Sequence, residues 1–488
     1  IEDGFIVGNI NLNFDKKGKI KKNFLINGFI KNAKLNFFEK HLIKNLNLTF
    51  NIKDKEYYLQ DINGSVNQIK LLSSLIKIKK KNNQFLIKGN LISEKNNFDL
   101  KKLNNILGSD FKDYNIKNIS LSSNNNFTFN LNKKFKISNF DLKSTLDLKR
   151  LTYNGKLSRI KKYLPNLKEL IILEDHIISV NYQKNKLDFS GKGKIIINDK
   201  IDNLNYRISK TNNGLTFDTN INIKKNAISI DMLEYKKKID VDSVLKISGA
   251  YKKDEKIKIK LISYNENKNQ FLIENLSLNK KFNILDVKKV KLNYLNNNKI
   301  KNQINLIKNK KKYDIFGKSF DVSKIIDLIL NDNDTKNESS SIFNNLNSNI
   351  DIKINKMYID KNTFVNNLTG NIYFKKNKLN KLNLESYFPN NKKINLIINT
   401  NKNNEKIVAL FSDYPKPLVK QYKFIKGFEG GVLDFYSVKK DNSSNSVLKI
   451  SNFKLQEVPV LAKLLTLASL QGIADLLTGE GIRFTDFE

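Results

Sequence analysis

Lys256-Ile257-Lys258-Ile259-Lys260-Leu261 alternates charged and apolar residues without a break. Successive side chains of a strand point to opposite faces, so this hexapeptide builds one apolar face and one wet face. The same period of two spreads outward, from about residue 5 to about residue 455. Leu215, Phe217, Ile221 and Ile223 share one parity, with Thr219 between them. Phe127, Phe129 and Leu131 repeat the pattern earlier; Ile350, Ile352 and Ile354, then Ile394, Leu396 and Ile398, repeat it later. One-sided strands of this kind suit antiparallel sheet, which can keep one face in water.

Asn-, Lys- and Gly-rich turns punctuate the pattern at 15–18, 79–83, 212–214, 296–299 and 375–378. A loose repeat ends in glycine at Gly28, Gly89, Gly191, Gly249 and Gly317, where a bulge or sharp bend is expected. Its spacing is irregular, which excludes a fixed-period array. Helical stretches are expected only at 100–107, at 158–173 with a break at Pro165, at 322–330, and in a terminal pair. Roughly 30 strands at about 4.8 Å each would extend on the order of 140 Å. Open sheets rarely exceed about ten strands without curling or splitting. The fold expected is mainly β: a long antiparallel curled sheet, a groove-like β-solenoid, with a few short helices and a C-terminal helical hairpin. The polar stretch 331–341 divides an extended body, 1–330, from a C-terminal β region, 341–488.

The 488 residues carry 87 Lys and Arg against 48 Asp and Glu, a net charge of +39. Such a balance suggests an anionic partner. Yet Arg occurs only at Arg150, Arg159, Arg207 and Arg483, and Lys, Asn and Ile rise together where codons are AT-rich. No nucleic-acid-binding module, with its arginine forks and stacking aromatics, is present. Phospholipid or lipopolysaccharide headgroups suit the charge better than nucleic acid does. Lysine runs at 77–81 and 308–312 read as solvated turns and guards of edge strands.

Cysteine is absent, which excludes disulfides, thiol chemistry and Cys-based zinc sites. His41 and His176 read as surface or packing residues. Asn331-Asp332-Asn333-Asp334 lacks the glycine and terminal glutamate of a calcium loop. No nucleophile elbow, phosphate loop or paired carboxylates appear, so neither an enzyme nor a cofactor nor a metal site is expected.

The last sixty residues differ in kind. Gly430 and Gly431 open a strand, a second strand leads to Glu457-Val458-Pro459, and lysine then gives way to small apolar residues. Pro459 suits a first helical turn, followed by Leu461, Leu464, Leu465 and Ala468 on one face. Ser469 can cap a second short helix after a break near Gly472, with Leu476 and Leu477 buried and Gly479 as the stop. Lys463, Gln471 and Asp475 argue against a membrane span, since charge at the bilayer centre costs about 2.5–3.5 kcal/mol. The helices at 458–478 plug the end of the β structure, touch a lipid surface, or do both.

This block resembles the C-terminal signature of the AsmA-like family, most closely its YhdP-type branch. The resemblance rests on Gly430 and Gly431, on Pro459 and the leucine helix, on Ser469 to Gly472, and on Gly479-Glu480-Gly481-Ile482 with Phe484. Weaker likenesses are Gly317 to Ile326, with Phe320 and Asp321, and the turn Ser412-Asp413-Tyr414-Pro415-Lys416. About the last 180 residues are covered by motif; the first 300 agree only in style. The chain departs from the family in opening at Ile1 without an apolar anchor, as expected of a fragment. The resemblance implies a bridge-like lipid transfer protein of the Gram-negative envelope. Its groove would carry phospholipid acyl chains between inner and outer membrane, in the periplasm, with an inner-membrane anchor and protein partners at each end. Two other classes fit the alternation: an outer-membrane β-barrel and a ligand-free structural β-solenoid. Missing tryptophan and abundant lysine speak against the barrel.

Overall fold

A computed structural model shows a protein that is mainly β, with 28 strands among the described residues. Residues 3–487 are described except 22–23, 38–40, 54–55, 68, 100–114, 156, 169, 253–255, 326–346, 377, 404, 420–425, 441–442 and 458–481. The chain divides into two units: Ile1–Ile228 with Lys237–Glu255, and Ser229–Lys236 with Lys256–Glu488.

In the first unit, strands from Asp3–Asn11 to Ile171–Gln183 each pair antiparallel with the next along the chain. The ladder continues through Lys186–Ile197, Lys200–Thr211 and Gly214–Ile223. It then passes over a short ribbon, Ile228–Ile230 with Tyr235–Lys237, to pair Gly214–Ile223 directly with Ser243–Lys252. Phe98, Ile119 and Leu148 form a small core, against which Leu121, Leu173 and Ile178 pack.

The second unit repeats the arrangement from Ile257–Glu266 to Ile482–Phe487. One pair breaks the antiparallel rule: Lys312–Asp321 runs parallel to Ser348–Tyr358. Parallel neighbours need a crossover of a dozen or more residues. The connection between them, 322–347, is long enough for one. Cores lie around Phe320, Ile354 and Leu368, and around Phe428, Leu433 and Phe453.

Pairing slips beside Gly89 and Gly317, as expected, but many bends come from Asn and Asp instead. Asn32, Asn45, Asp61, Asn139, Asp175, Asn275, Asn367 and Asn452 lie inside strands with φ of 52–54°. Asn and Asp tolerate the left-handed region better than other non-glycine residues. Pairing slips beside several of them, as between Ile30 and Ala33, Lys192 and Lys194, and Asn366 and Thr369. Each is a bulge that bends and twists its strand.

The repeated glycines do another job. Gly28, Gly89, Gly191 and Gly249 lie directly opposite Phe50, Phe127, Tyr206 and Phe217 on the neighbouring strand. A Cβ on Gly89 would stand 2.9 Å from the Phe127 ring, and one on Gly191 would stand 2.5 Å from the Tyr206 hydroxyl. The aromatic ring covers the bare backbone, which recovers the packing glycine gives up.

Turns fall where expected, at 16–18, 82–83, 212–213, 297–298 and 376. The helix expected over 158–173 is only Ser158–Lys161, and a strand already begins at Ile171. That helix has no side-chain cap, and Pro165 cannot continue it. Lys77 and Lys79 are neither in a turn nor on an edge: they bind Glu56 across the sheet at 2.7 Å each. Lys310 and Lys311 form the expected turn, while Lys308 and Lys312 on either side of it pair with Asp286 and Asp351. The stretch 100–107, most of 322–330, the calcium-like 331–334 and the hairpin at 458–478 lie outside the described residues.

Candidate functional site

All sixteen apolar wall residues are described, and none is exposed; Ile223, Ile259 and Ile354 are buried and the rest half-buried. In Gly214–Ile223 the pattern is clear: Leu215, Phe217 and Ile221 are half-covered while Thr216, Asp218 and Asn222 face water. In the first unit the Phe127 and Phe129 rings lie 5.8 Å apart, Phe129 and Phe140 6.2 Å, and Phe140 and Tyr182 5.8 Å. These four rings cross three adjacent strands as a row that remains partly open, with Phe140 37% exposed.

Burial in the second unit follows a longer row. Register places Tyr264, Phe271, Leu292, Ile304, Gly317, Ile354 and Leu368 side by side across seven strands. Here a strap covers one end. Ser229–Lys236 carries Tyr235, whose ring meets Phe271 at 4.7 Å, Tyr294 at 5.9 Å and Tyr264 at 6.0 Å. Tyr294 is 0% exposed and Tyr235 2%. The Tyr235 hydroxyl donates to the buried Glu266 carboxylate and lies 3.1 Å from the Tyr264 hydroxyl, and Tyr294 donates to the Leu233 carbonyl. Burial, then Glu266 beside it, pushes the Tyr235 hydroxyl far above its ordinary pKa. Burial together with the neighbouring Asp321 carboxylate raises Glu234 on the same strap. The strap is a protein lid over aromatic rings.

The grouping of Leu261 with Ile257 and Ile259 fails. Buried positions in this strand are Ile259, then Tyr264 and Glu266, so the phase changes along it. The break falls at Lys260, opposite the left-handed Asn275. Leu261 instead pairs with Glu274, which binds Lys289 at 3.2 Å on the charged face. A left-handed residue inside the strand shifts which parity points inward, and alternation alone cannot reveal it.

At the C-terminal end, Gly430 and Gly431 have φ of 73° and 84° inside the strand Lys426–Lys440. A residue with a Cβ rarely adopts these angles. Gly430 lies opposite Phe453, whose ring stacks on Phe428 at 5.2 Å and on Phe484 at 5.1 Å. Ser412 and Asp413 form the expected turn: the Tyr414 amide donates to the Ser412 hydroxyl, and the Asp413 amide to the Lys393 carbonyl. Asp321 is buried, accepting from the Ser323 amide and hydroxyl and from Asn296. Pro459, Leu461, Leu464, Leu465, Ser469, Gly472, Leu476, Leu477, Gly479 and Gly481 lie outside the described residues.

His176 is fully buried under the packing of Gly193 and Tyr206, with Nε2 2.9 Å from the Lys194 carbonyl. Among the described residues no group of three His, Cys, Asp or Glu could hold a metal, and no helix is long and apolar enough to cross a membrane. Sequence reasoning missed the strap, whose residues carry no alternation; its role emerges only once register brings Tyr264, Phe271 and Tyr294 together.

With known proteins the comparison is blank: no family model matches the chain, and no curated protein or solved structure does.

Proposed function

We propose that the protein is a non-enzymatic carrier of phospholipid acyl chains, held along the half-buried apolar face of its ladders. The observation that carries this reading is the first unit's row Phe127, Phe129, Phe140 and Tyr182, which is partly open. Burying an acyl chain there gains roughly 0.8 kcal/mol per CH₂. A uniform wall gives no net gain as a chain slides along it, so directional movement needs a gradient or a partner protein. The likeness of Gly430, Gly431 and Phe484 to the AsmA-like signature supports placing the carrier in the envelope, bridging inner and outer membrane.

A closed outer-membrane barrel is the weaker reading. Asp3–Asn11 has one described partner strand, and so has Ile482–Phe487; neither is paired on its other side among the described pairings. A ligand-free solenoid has the strap in its favour, because Tyr235 shows that this chain can cover its own aromatic face. Native mass spectrometry of the purified chain decides between carrier and solenoid. Copurifying phospholipid supports the carrier; its absence, with no binding of an apolar fluorescent probe, leaves the solenoid.

A further inference from the structure

The face opposite the apolar row of the second unit carries a second feature. Register places Lys291, Asn305, Phe316 and Lys353 side by side on four neighbouring strands. Along each strand they alternate with Leu292, Ile304, Gly317 and Ile354 of the apolar row, so they look out from the other side. A bulge at Lys318 slips the pairing between Gln303 and Ile304 and adds a third lysine. Together with Asn293 and Asn355 these residues line a depression of about 510 Å³, within the usual range of ligand sites.

Its electrostatics set it apart. Elsewhere on the ladders lysines bind acids on neighbouring strands, as Lys77 and Lys79 bind Glu56 and Lys393 binds Glu385. The depression is lined by no Asp or Glu, and none of the described ion pairs engages Lys291, Lys318 or Lys353. Three uncompensated cations in one hollow repel each other, and an anion relieves that repulsion. Asparagine amides offer both donors and acceptors to an ester or hydroxyl group. Phe316, 41% exposed, supplies an apolar surface for the rest of the ligand.

We infer that this depression binds a phosphate ester, through Lys291, Lys318 and Lys353, with its carbon skeleton against Phe316. The chemistry is shared by a soluble phosphate ester and by a phospholipid headgroup. The site lies on the face opposite the second unit's own apolar row and does not depend on the proposed acyl-chain wall.

Calorimetry of the whole chain with glycerol 3-phosphate, and flotation with phosphatidylglycerol or phosphatidylcholine vesicles, test this. The variant Lys291→Gln, Lys318→Gln, Lys353→Gln is compared with the charge-matched Lys256→Gln, Lys258→Gln, Lys260→Gln, whose lysines are all exposed. The pocket variant is expected to weaken binding at least about tenfold, and the control about twofold or less. Phe316→Ser, with all charges kept, should weaken it as well. Binding in the calorimeter identifies a soluble ester; binding only to phosphatidylglycerol vesicles identifies a headgroup. Equal losses in the two triple variants would overturn the site, since the net charge alone would then explain binding. So would binding of neither probe, or a Phe316→Ser variant that binds like the native chain.

Discussion

Two aromatic groups, one in each unit, are built on the same alternating strands and end in opposite states. In the first unit Phe127, Phe129, Phe140 and Tyr182 form a row that is still partly open. In the second, Tyr264, Phe271 and Tyr294 are sealed by Tyr235 from the strap. A strand pattern thus fixes that an apolar face exists but not what covers it. Where the chain supplies its own cover, the face is core; where it does not, the face is available to another apolar molecule.

The largest test of that contrast is Tyr235→Ala. Removing a fully buried aromatic ring costs about 3–5 kcal/mol, and the variant leaves Glu266 with one partner fewer. Guanidinium denaturation should show a loss of that size; a loss below about 1 kcal/mol would mean the strap is not a sealed core.

Gly89→Ala probes how the open row is supported. The new Cβ would sit 2.9 Å from both the Phe127 ring and the Ile76 side chain, and 3.2 Å from the Leu75 carbonyl. Overpacking of this kind costs about 1–3 kcal/mol, and the displaced ring should also weaken apolar-probe binding. Phe129→Ala should cost less stability, on the order of 1 kcal/mol, because the ring is only half-buried. Its probe affinity should nevertheless fall, and that split between stability and binding is the signature of an open face. Matching losses at Phe129 and Tyr235 would erase the difference between the units.

The smallest effect concerns pH. Burial resists ionisation of Asp286, but hydrogen bonds from Lys308 at 2.7 Å and Tyr313 at 2.9 Å outweigh it and hold the carboxyl below its ordinary value. Burial, then Asp286, pushes the Tyr313 hydroxyl up to about 12. A depressed carboxyl stabilises the fold above its unfolded value, near 3.9, and loses that contribution as pH falls through the folded value. Asp286→Asn should therefore destabilise by up to about 1 kcal/mol at pH 7 and progressively less toward pH 2, as followed by denaturation at each pH.

Much of this was legible in the sequence. Alternation at Leu215, Phe217 and Ile221 gave the half-buried faces, Asn- and Gly-rich points gave the turns, and Ser412-Asp413 gave its turn. The bends were hidden because asparagine is abundant throughout, so Asn275 or Asn367 looks like any other. That concealment misplaced Leu261 on the apolar face. Glycine was read as the bending residue because its backbone freedom is the stronger prior; pairing does slip beside Gly89 and Gly317, but Gly89 and Gly191 also accommodate rings from the neighbouring strand. The strap and the lysine depression depend on the register between neighbouring strands and on where the strap folds back, which no local pattern encodes.

Photocrosslinking separates open wall from sealed core most directly. Benzoylphenylalanine placed at Phe129 and, separately, at Phe271 is irradiated in cells, and adducts are weighed by mass spectrometry. Phospholipid adducts at position 129 and none at position 271 are expected. No lipid at position 129, or equal labelling at both, would contradict an acyl-chain wall.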